Sequence, residues 1–313
     1  MAASTVGQRL WGITCFFNPS GSRRRLANYR VFRQNLVVPL VTVELAYGST
    51  PELRSGDADV LLHLQGQDLL WQKERLLNLA LKAVPRKCDS IAWLDCDVVF
   101  ERADWPKLVR EQLKHCNLVQ PFQTVIDLGP DHDGEMVDRA RPVRQSLVHK
   151  ILAGGLSPTL LATARLRNEW NCAAGLAWVA RRDILDRHGF YDAGIVGGGD
   201  RAMACAAYGC WQGLERTHRL NDRQQQHYLA WAQSFFDSVK GQVGFVEGAI
   251  SHLWHGNVQK RGYGTRFDGL APFGFDPAVD IALDEQGCWR WNSNKPDLHE
   301  YVRRYFALRN DDG

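Results

Sequence analysis

The chain has 313 residues, of which 45% are hydrophobic and 23% are charged, as in ordinary globular proteins. Its formal net charge of +3 is small for this length, so bulk charge gives no strong signal for nucleic-acid binding. No apolar run is long enough to span a membrane, and no basic stretch followed by an apolar one opens the chain. The eight cysteines include no C-x-x-C pair, which favours reduced thiols. We therefore expect a cytoplasmic protein without a membrane span.

The first hundred residues alternate between strand-like and helix-like patterns. Strands are predicted at residues 10–17, 39–47, 60–64 and 91–94, and helices at residues 23–36 and 69–84. Strands and helices that alternate with short connections are typical of a parallel, doubly wound sheet. In such sheets ligands bind beyond the carboxyl ends of the strands.

Two aspartates, one residue apart, follow the predicted strand at residues 91–94. Side chains at i and i+2 of an extended segment point the same way, so Asp95 and Asp97 can face one ligand. Two carboxylates at the end of a buried strand are costly unless a cation lies between them. Mg²⁺ or Mn²⁺ takes a few oxygen ligands together with substrate phosphates. The pair therefore indicates a metal and diphosphate site, although a strand followed by a simple acidic turn would show the same residues.

The remaining predicted elements extend the same architecture. Helices are predicted at residues 105–115, 201–208, 224–239 and 298–308, and strands at residues 118–125, 171–179 and 245–253. No internal repeat or low-complexity linker divides the chain. We expect an α/β protein whose mainly parallel sheet is flanked by helices, built by residues 1–270. Residues 271–313 are expected to form a C-terminal extension that packs on it.

A charged, irregular stretch runs from residue 127 to about residue 159 and contains Arg139, Arg141 and Arg144. A long polar insertion after a core strand often serves as a binding loop or lid. A solvated excursion explains the same composition equally well.

Three glycines precede a lone carboxylate in Gly197-Gly198-Gly199-Asp200. Glycine lets a backbone approach a ligand closely, and the helix dipole favours a carboxylate at a helix start. Asp200 is therefore a candidate functional carboxylate, and an ordinary N-cap residue is the alternative.

In combination, these features resemble the glycosyltransferases of the GT-A (Rossmann-like) fold, close to family 2 and the β-1,4-galactosyltransferase type. The resemblance covers roughly residues 10–266. It is carried, after the first βαβ half, by five features in this order: the helix segment Lys73-Glu74-Arg75-Leu76-Leu77-Asn78, Asp95-Cys96-Asp97, Gly175 with Arg181 and Arg182, Gly197-Gly198-Gly199-Asp200, and His255-Gly256.

The resemblance implies a metal centre and a general base. Asp97 would be the principal ligand of Mn²⁺ or Mg²⁺, and Asp95 would reach the ribose or, through water, the metal. His255 would be the third protein ligand, with His252 as the alternate. Asp200 would be the base that deprotonates the acceptor. The loop departs from the family in one respect, because it has one carboxylate where the family often has two.

Further residues are candidates for the nucleotide-sugar donor. The helix before the aspartate pair supplies Lys73 and Asn78. The end of the first strand, where such folds hold the base and ribose, supplies Thr14, Phe16 and Asn18. A late loop offers donors to the diphosphate, since arginine presents a planar fork to phosphate oxygens, and supplies Arg261, Tyr263 and Arg266. Trp254 and Trp211 could stack on a sugar, although tryptophans more often belong to the core.

The expected function is metal-dependent transfer of a sugar from a nucleoside-diphosphate sugar, expected to be a UDP-sugar, to a saccharide or other hydroxyl acceptor, with inversion. A nucleotidyltransferase is the rival enzyme, but it normally has a glycine-rich basic loop after the first strand. Residues 18–25 are a poor version of such a loop. A catalytically silent domain that binds a sugar or a partner is the other alternative, and the intact set of candidate site residues argues against it.

Overall fold

The computed structural model describes residues 9–48, 50–130, 143–162, 170–257, 261–309 and residue 312. Much of the predicted polar insertion, including Arg139 and Arg141, therefore lies outside the described residues. Among the described residues, every helix is too short or too polar to cross a bilayer.

The first half of the chain forms the alternating elements that its pattern predicts. Its strands are β1 (Leu10–Phe17), β2 (Leu40–Ala46), β3 (Val60–Gln65), β4 (Ser90–Leu94) and β5 (Val98–Phe100). Its helices are α1 (Arg23–Asn35), α2 (Lys73–Ala83) and α3 (Trp105–Gln112). As predicted, α1 begins at a serine cap, since the Ser22 side chain accepts a hydrogen bond from the Arg25 N–H. Helix α2 begins four residues later than expected.

The second half adds shorter strands and eight further helices among the described residues. The strands are β6 (Leu118–Gln120), β7 (Thr124–Asp127), β8 (Val143–Ser146), β9 (Cys172–Ala173), β10 (Ala177–Arg181), β11 (Val243–Phe245), β12 (Ala249–His252), β13 (Ile281–Leu283) and β14 (Trp289–Trp291). The helices are α4 (Leu147–Leu152), α5 (Arg182–His188), α6 (Gly199–Ala207), α7 (Leu214–His218), α8 (Asp222–Val239), α9 (Arg266–Leu270), α10 (Pro277–Asp280) and α11 (Pro296–Ala307).

A seven-stranded sheet in the order β11-β6-β10-β4-β1-β2-β3 forms the centre. Its strands pair in parallel except for β10, which runs antiparallel between β4 and β6. A five-stranded sheet in the order β5-β12-β7-β8-β9 and a hairpin of β13 and β14 lie beside it. The predicted α/β class, a mainly parallel sheet flanked by helices, is confirmed.

Both faces of the central sheet are buried, which explains the nearly continuous apolar runs of its strands. Along β1, Trp11 and Ile13 belong to one core cluster together with residues of α2, α6 and α8. Leu10 and Phe16 belong to a second cluster, together with residues of α1 and α3. The strand therefore packs against helices on both sides.

Three of the predicted strands are each divided into two strands, which belong to different sheets. The prediction of single continuous strands at these positions was therefore wrong. In each case one part lies in the seven-stranded sheet and the other in the five-stranded sheet: residues 118–125 (β6 and β7), 171–179 (β9 and β10) and 245–253 (β11 and β12). Two of the crossings contain a residue with a positive φ, Leu176 at 79° and Gly248 at 129°, which breaks the extended backbone. An apolar run looks the same whether it stays in one sheet or passes between two.

The C-terminal residues 271–309 include α10, the hairpin of β13 and β14, and α11. Val302 and Phe306 of α11 belong to the same core cluster as Trp11 of β1. The division of the chain into a domain of residues 1–270 and an extension stays a prediction.

Candidate active site

Asp95 and Asp97 lie at the carboxyl end of β4, in the turn where the chain leaves the seven-stranded sheet for β5. The turn begins with a hydrogen bond from the Asp95 N–H to the Leu176 carbonyl at 2.7 Å. Because the two aspartates stand in a turn, strand alternation does not orient them, and their nearest partners differ. Asp95 contacts a lysine, whereas Asp97 contacts two histidines.

Asp97, His252 and His255 form a compact group of potential metal ligands. The Asp97 Oδ2 atom lies 3.2 Å from His255 Nε2, and Asp97 Oδ1 lies 3.9 Å from His252 Nε2. The two Nε2 atoms are 3.2 Å apart. Candidate ligand atoms of all three residues lie within 4.8 Å of one another. The structure thus brings both predicted histidines to Asp97.

Two features of this group fit a divalent cation. Asp97 Oδ1 is buried and has no hydrogen-bond partner among the described residues, although such an atom normally has one. Burial, together with the Arg261 guanidinium and His252, lowers the pKa of His255 well below its usual range, which favours the neutral ring that a metal requires. One carboxylate and two imidazole nitrogens form a donor set that suits a divalent metal ion.

The ion pair of Asp127 with Arg144 orients the ring of His252 through its Nδ1 atom. The Asp127 carboxylate lies 2.9 Å from His252 Nδ1 and accepts two hydrogen bonds from Arg144, at 2.7 and 2.8 Å. An Nδ1–H that donates to Asp127 leaves the lone pair of Nε2 directed at Asp97. Burial opposes ionisation of Asp127, but the hydrogen bonds from His252 and Arg144 outweigh it and hold the pKa of Asp127 far below its usual range.

The register of the five-stranded sheet explains this placement. His252 on β12 stands opposite Val98 of β5, next to Asp97, and opposite Asp127 of β7. Sequence reasoning missed Asp127 and treated Arg144 only as part of a charged insertion, because neither has a local motif. The pairing of β7 with β12 was the signal needed, and it is not visible in the sequence.

Lys73, the first residue of α2, joins two predicted site residues. Its ammonium nitrogen lies 2.7 Å from Asp95 Oδ1 and 3.0 and 3.1 Å from the two oxygens of Asp200. Burial alone would lower the pKa of Lys73, but the two carboxylates raise it well above its usual range, so the ammonium stays charged.

Asp200 is not a capping residue. The cap of α6 is Gly198, without a side-chain hydrogen bond, and the Asp200 carboxylate points instead to Lys73. Gly175 makes room for it, since a Cβ atom there would lie 2.5 Å from Asp200 Oδ2. Gly197 and Gly198 have φ values of 84° and 98°, which a side chain would strain. Gly175, Gly197 and Gly198 thus allow Asp200 to reach this position.

The three late-loop candidates lie together, with Tyr263 in contact with both Arg261 and Arg266. Arg261 is buried and donates a hydrogen bond to the His255 carbonyl at 2.7 Å. The Arg266 guanidinium lies 5.0 Å from the ring centre of Tyr263. Desolvation opposes ionisation of Tyr263, but the guanidiniums of Arg261 and Arg309 outweigh it and lower its pKa. A surplus of positive charge therefore surrounds the Tyr263 hydroxyl.

The candidates at the end of β1 are bonded within the protein. The Thr14 hydroxyl donates to the Leu94 carbonyl at 2.7 Å, which ties β1 to β4 just before Asp95. Phe16 is buried against Tyr29. Asn18 bonds to the backbone of Ser22 and to Glu52. Their nucleotide contacts stay a prediction.

Asn78 lies one and a half turns beyond Lys73 on α2 and contacts the loop after α5. Its amide bonds to the backbone N–H and carbonyl of Phe190 and to Asp192. The structure therefore shows Asn78 holding that loop, and its contact with a donor stays a prediction. Trp211 packs edge-on against Phe236, and Arg24 lies over the ring of Trp254.

No family model matches the chain, and no curated protein matches its sequence. Matching solved structures include TarS 1–349 of S. aureus in complex with UDP-GlcNAc, with 8% identity and a TM-score of 0.43 over 96% of this chain and 72% of that one. A mannosyltransferase of Pyrobaculum calidifontis, in complex with GDP-Man and Mn²⁺, has 13% identity and a TM-score of 0.43 over 96% and 69%. Glucosyl-3-phosphoglycerate synthase of Mycobacterium tuberculosis, in complex with Mg²⁺ and UDP, has 13% identity and a TM-score of 0.41 over 92% and 88%. Likenesses with TM-scores this low do not assign a substrate or a metal to this chain.

Proposed function

We propose that this chain is a metal-dependent glycosyltransferase that moves a sugar from a nucleoside-diphosphate sugar to a hydroxyl acceptor with inversion. One observation carries the proposal: the group of Asp97, His252 and His255 lies next to a cationic loop and a lysine-held pair of carboxylates, and Asp97 Oδ1 has no hydrogen-bond partner among the described residues. Such a site could hold a cation, and it offers donors for a diphosphate and a carboxylate for an acceptor.

Different residues of the site bind different parts of the donor complex. Asp97, His252 and His255 would hold Mn²⁺ or Mg²⁺, which as a Lewis acid neutralises the charge that develops on a departing diphosphate. Arg261 and Arg266 can donate to diphosphate oxygens, and Tyr263 stands between them. A uridine nucleotide is the donor that we propose, with its base and ribose near the ends of β1 and β4.

The acceptor reaction needs one proton acceptor. The hydroxyl proton of the acceptor passes to Asp200 while the oxygen forms a bond to the anomeric carbon. The bond from that carbon to the diphosphate oxygen breaks, and its electron pair leaves with the nucleoside diphosphate. Attack opposite to the leaving group inverts the anomeric centre. Lys73 holds the Asp200 carboxylate from the side of Asp95 and so fixes its position.

A donor screen tests the proposal directly. The purified protein is incubated with Mn²⁺, a panel of nucleotide sugars and a mixture of saccharide acceptors, and release of nucleoside diphosphate is measured. We expect release from one class of donor, loss of release in chelator, and no release by Asp97→Ala. Pyrophosphate release from a nucleoside triphosphate and a sugar phosphate would instead identify a nucleotidyltransferase. Binding of a nucleotide sugar without any turnover would identify a silent binding domain.

A further inference from the structure

The Glu74 carboxyl occupies the space in which a side chain of residue 199 would begin. A Cβ atom built on Gly199 would lie 2.2 Å from Glu74 Oε1 and 2.5 Å from its Cδ. Gly199 opens α6 and, unlike Gly197 and Gly198, does not have a left-handed φ. The backbone conformation of Gly199 would therefore allow a side chain. Only the Glu74 carboxyl, which fills the space beside it, prevents one. A residue of α2 thus supplies a carboxyl to the loop that precedes Asp200.

This carboxyl is buried without an ion-pair partner among the described residues. Glu74 is only 7% exposed, and among the described residues it forms no ion pair within 4.0 Å. Its neighbour Lys73 directs its ammonium to Asp95 and Asp200 instead. Glu74 lines a small cavity together with Lys73, Trp93, Phe190, Tyr191, Asp200 and Met203. A buried carboxyl that faces a cavity beside the proposed base, and whose neighbouring ammonium is directed to other carboxylates, costs stability when it is charged, which points to a use.

We infer, on the basis of the proposed function, that Glu74 is a positioning residue that controls proton transfer at Asp200 through the Lys73 ion pair. A negative charge on Glu74 repels the Asp200 charge and attracts the Lys73 ammonium away from it. Both effects increase the affinity of Asp200 for the acceptor's proton. When Glu74 is protonated, Lys73 is held fully by Asp95 and Asp200, and Asp200 is a weaker base.

The groups around Glu74 leave it free to titrate near neutral pH. Burial and the Asp200 charge raise the pKa of Glu74, against the opposing effect of Lys73, to about 7. Burial also raises the pKa values of Cys15 and Tyr191, so both stay uncharged there. In the part of the chain that the structure describes, the charged or titratable groups near Glu74 are Lys73 on α2, Asp200 on α6, Asp95 after β4, Cys15 on β1 and Tyr191 after α5.

The first experiment removes the charge and keeps the shape. Glu74→Gln should lower kcat for transfer about tenfold, with donor KM and Mn²⁺ affinity unchanged. It should also flatten the rise of kcat with pH around neutrality. Glu111→Gln, which removes an exposed carboxylate of α3 paired with Lys114, is the control and should leave kcat unchanged. An unchanged kcat and pH profile in Glu74→Gln would overturn the inference.

The second experiment moves the carboxylate from residue 74 to residue 199. In Glu74→Ala the space beside residue 199 is open, so Gly199→Asp can place a carboxylate there. The double variant Glu74→Ala/Gly199→Asp should recover kcat over Glu74→Ala, whereas Glu74→Ala/Gly199→Asn should not. If Asn recovers kcat as well as Asp, Glu74 only fills space and the inference is wrong. Thermal unfolding of each variant identifies those that fold.

The two proposals fail differently. A wild-type protein that turns over a nucleotide sugar while Glu74→Gln matches it refutes the role of Glu74 and leaves the transferase function standing. A wild-type protein that neither binds nor turns over any nucleotide sugar refutes the proposed function, and the role of Glu74 falls with it.

Discussion

The Lys73 ammonium contacts both oxygens of the Asp200 carboxylate, at 3.0 and 3.1 Å, although the two residues stand 127 positions apart in the chain. The same nitrogen lies 2.7 Å from Asp95. One side chain thus joins the start of α2, the start of α6 and the turn after β4. The position of the proposed base relative to the aspartate pair depends on this lysine.

Removal of the Lys73 charge should damage both stability and transfer. Lys73→Met leaves Asp95 and Asp200 without their common partner. We expect a loss on the order of 3 kcal/mol in the free energy of unfolding, the low end for an unpaired buried charge, because the two carboxylates keep 26% and 33% exposure. Lys82→Met on the exposed side of the same helix is the control. Denaturant unfolding and the transfer assay measure the two effects, and a Lys73→Met protein that matches Lys82→Met in both would contradict the prediction.

Asp97 should be the residue on which metal binding depends most. Asp97→Ala removes the only carboxylate of the three-residue group and should abolish Mn²⁺ binding and turnover. His255→Ala should weaken binding less, since water can replace one nitrogen ligand. Calorimetric titration with Mn²⁺ measures both, with the exposed Asp104→Ala as control. Full activity of Asp97→Ala in chelator would rule out the metal role.

Asp127 should influence the metal through His252. Asp127→Asn keeps the shape of the side chain but loses the charge that orients the ring and binds Arg144. Loss of such an outer partner typically weakens metal affinity about 10–100-fold, and we expect a weakening in that range. The same titration measures it. Unchanged Mn²⁺ affinity in a folded Asp127→Asn protein would show that His252 is not a ligand.

Asp200→Asn should separate donor binding from transfer. The substitution leaves Asp97 and the histidines unaltered, so nucleotide-sugar affinity should be kept. Transfer should fall by roughly 10²–10⁴-fold, or about 3–5 kcal/mol of barrier, the usual contribution of a general base. Asp186→Asn on α5, which is exposed, is the matched control. Proton NMR of the product should show an inverted anomeric centre. Retention, or an Asp200→Asn protein within a few-fold of wild type, would reassign Asp200 to structure.

Glu74 should make the protein less stable as the pH rises. Its pKa is about 7 in the fold against an ordinary value of 4.5. A carboxyl with a raised pKa binds its proton more tightly in the folded state, so its stabilising contribution is complete below about pH 4.5 and is lost as the pH rises to about 7. Glu74→Gln should therefore unfold like wild type near pH 4 and be more stable near pH 8, by on the order of 3 kcal/mol. A variant that is less stable than wild type near pH 8 would contradict this.

Local patterns determined the first half of the fold. The apolar run of β1 and the Ser22 cap of α1 are read correctly from the sequence, because each depends on residues a few positions apart. The position of the aspartate pair at the end of β4 follows from the same kind of pattern. The orientation of Asp95 and Asp97 does not, because they stand in a turn whose partners come from elsewhere in the chain.

Tertiary structure decided what those side chains touch. The division of three predicted strands could not be recognised from the sequence, because an apolar run does not show in which sheet each half pairs. The support of His252 by Asp127 depends on the register of β12 against β7, and the contact of Glu74 with Gly199 depends on the packing of α2 against α6. Residue types and their order are properties of the sequence. Distances between segments more than a hundred residues apart are set by the pairing of strands and the burial of helix faces, and these distances bring separate acidic segments into one site.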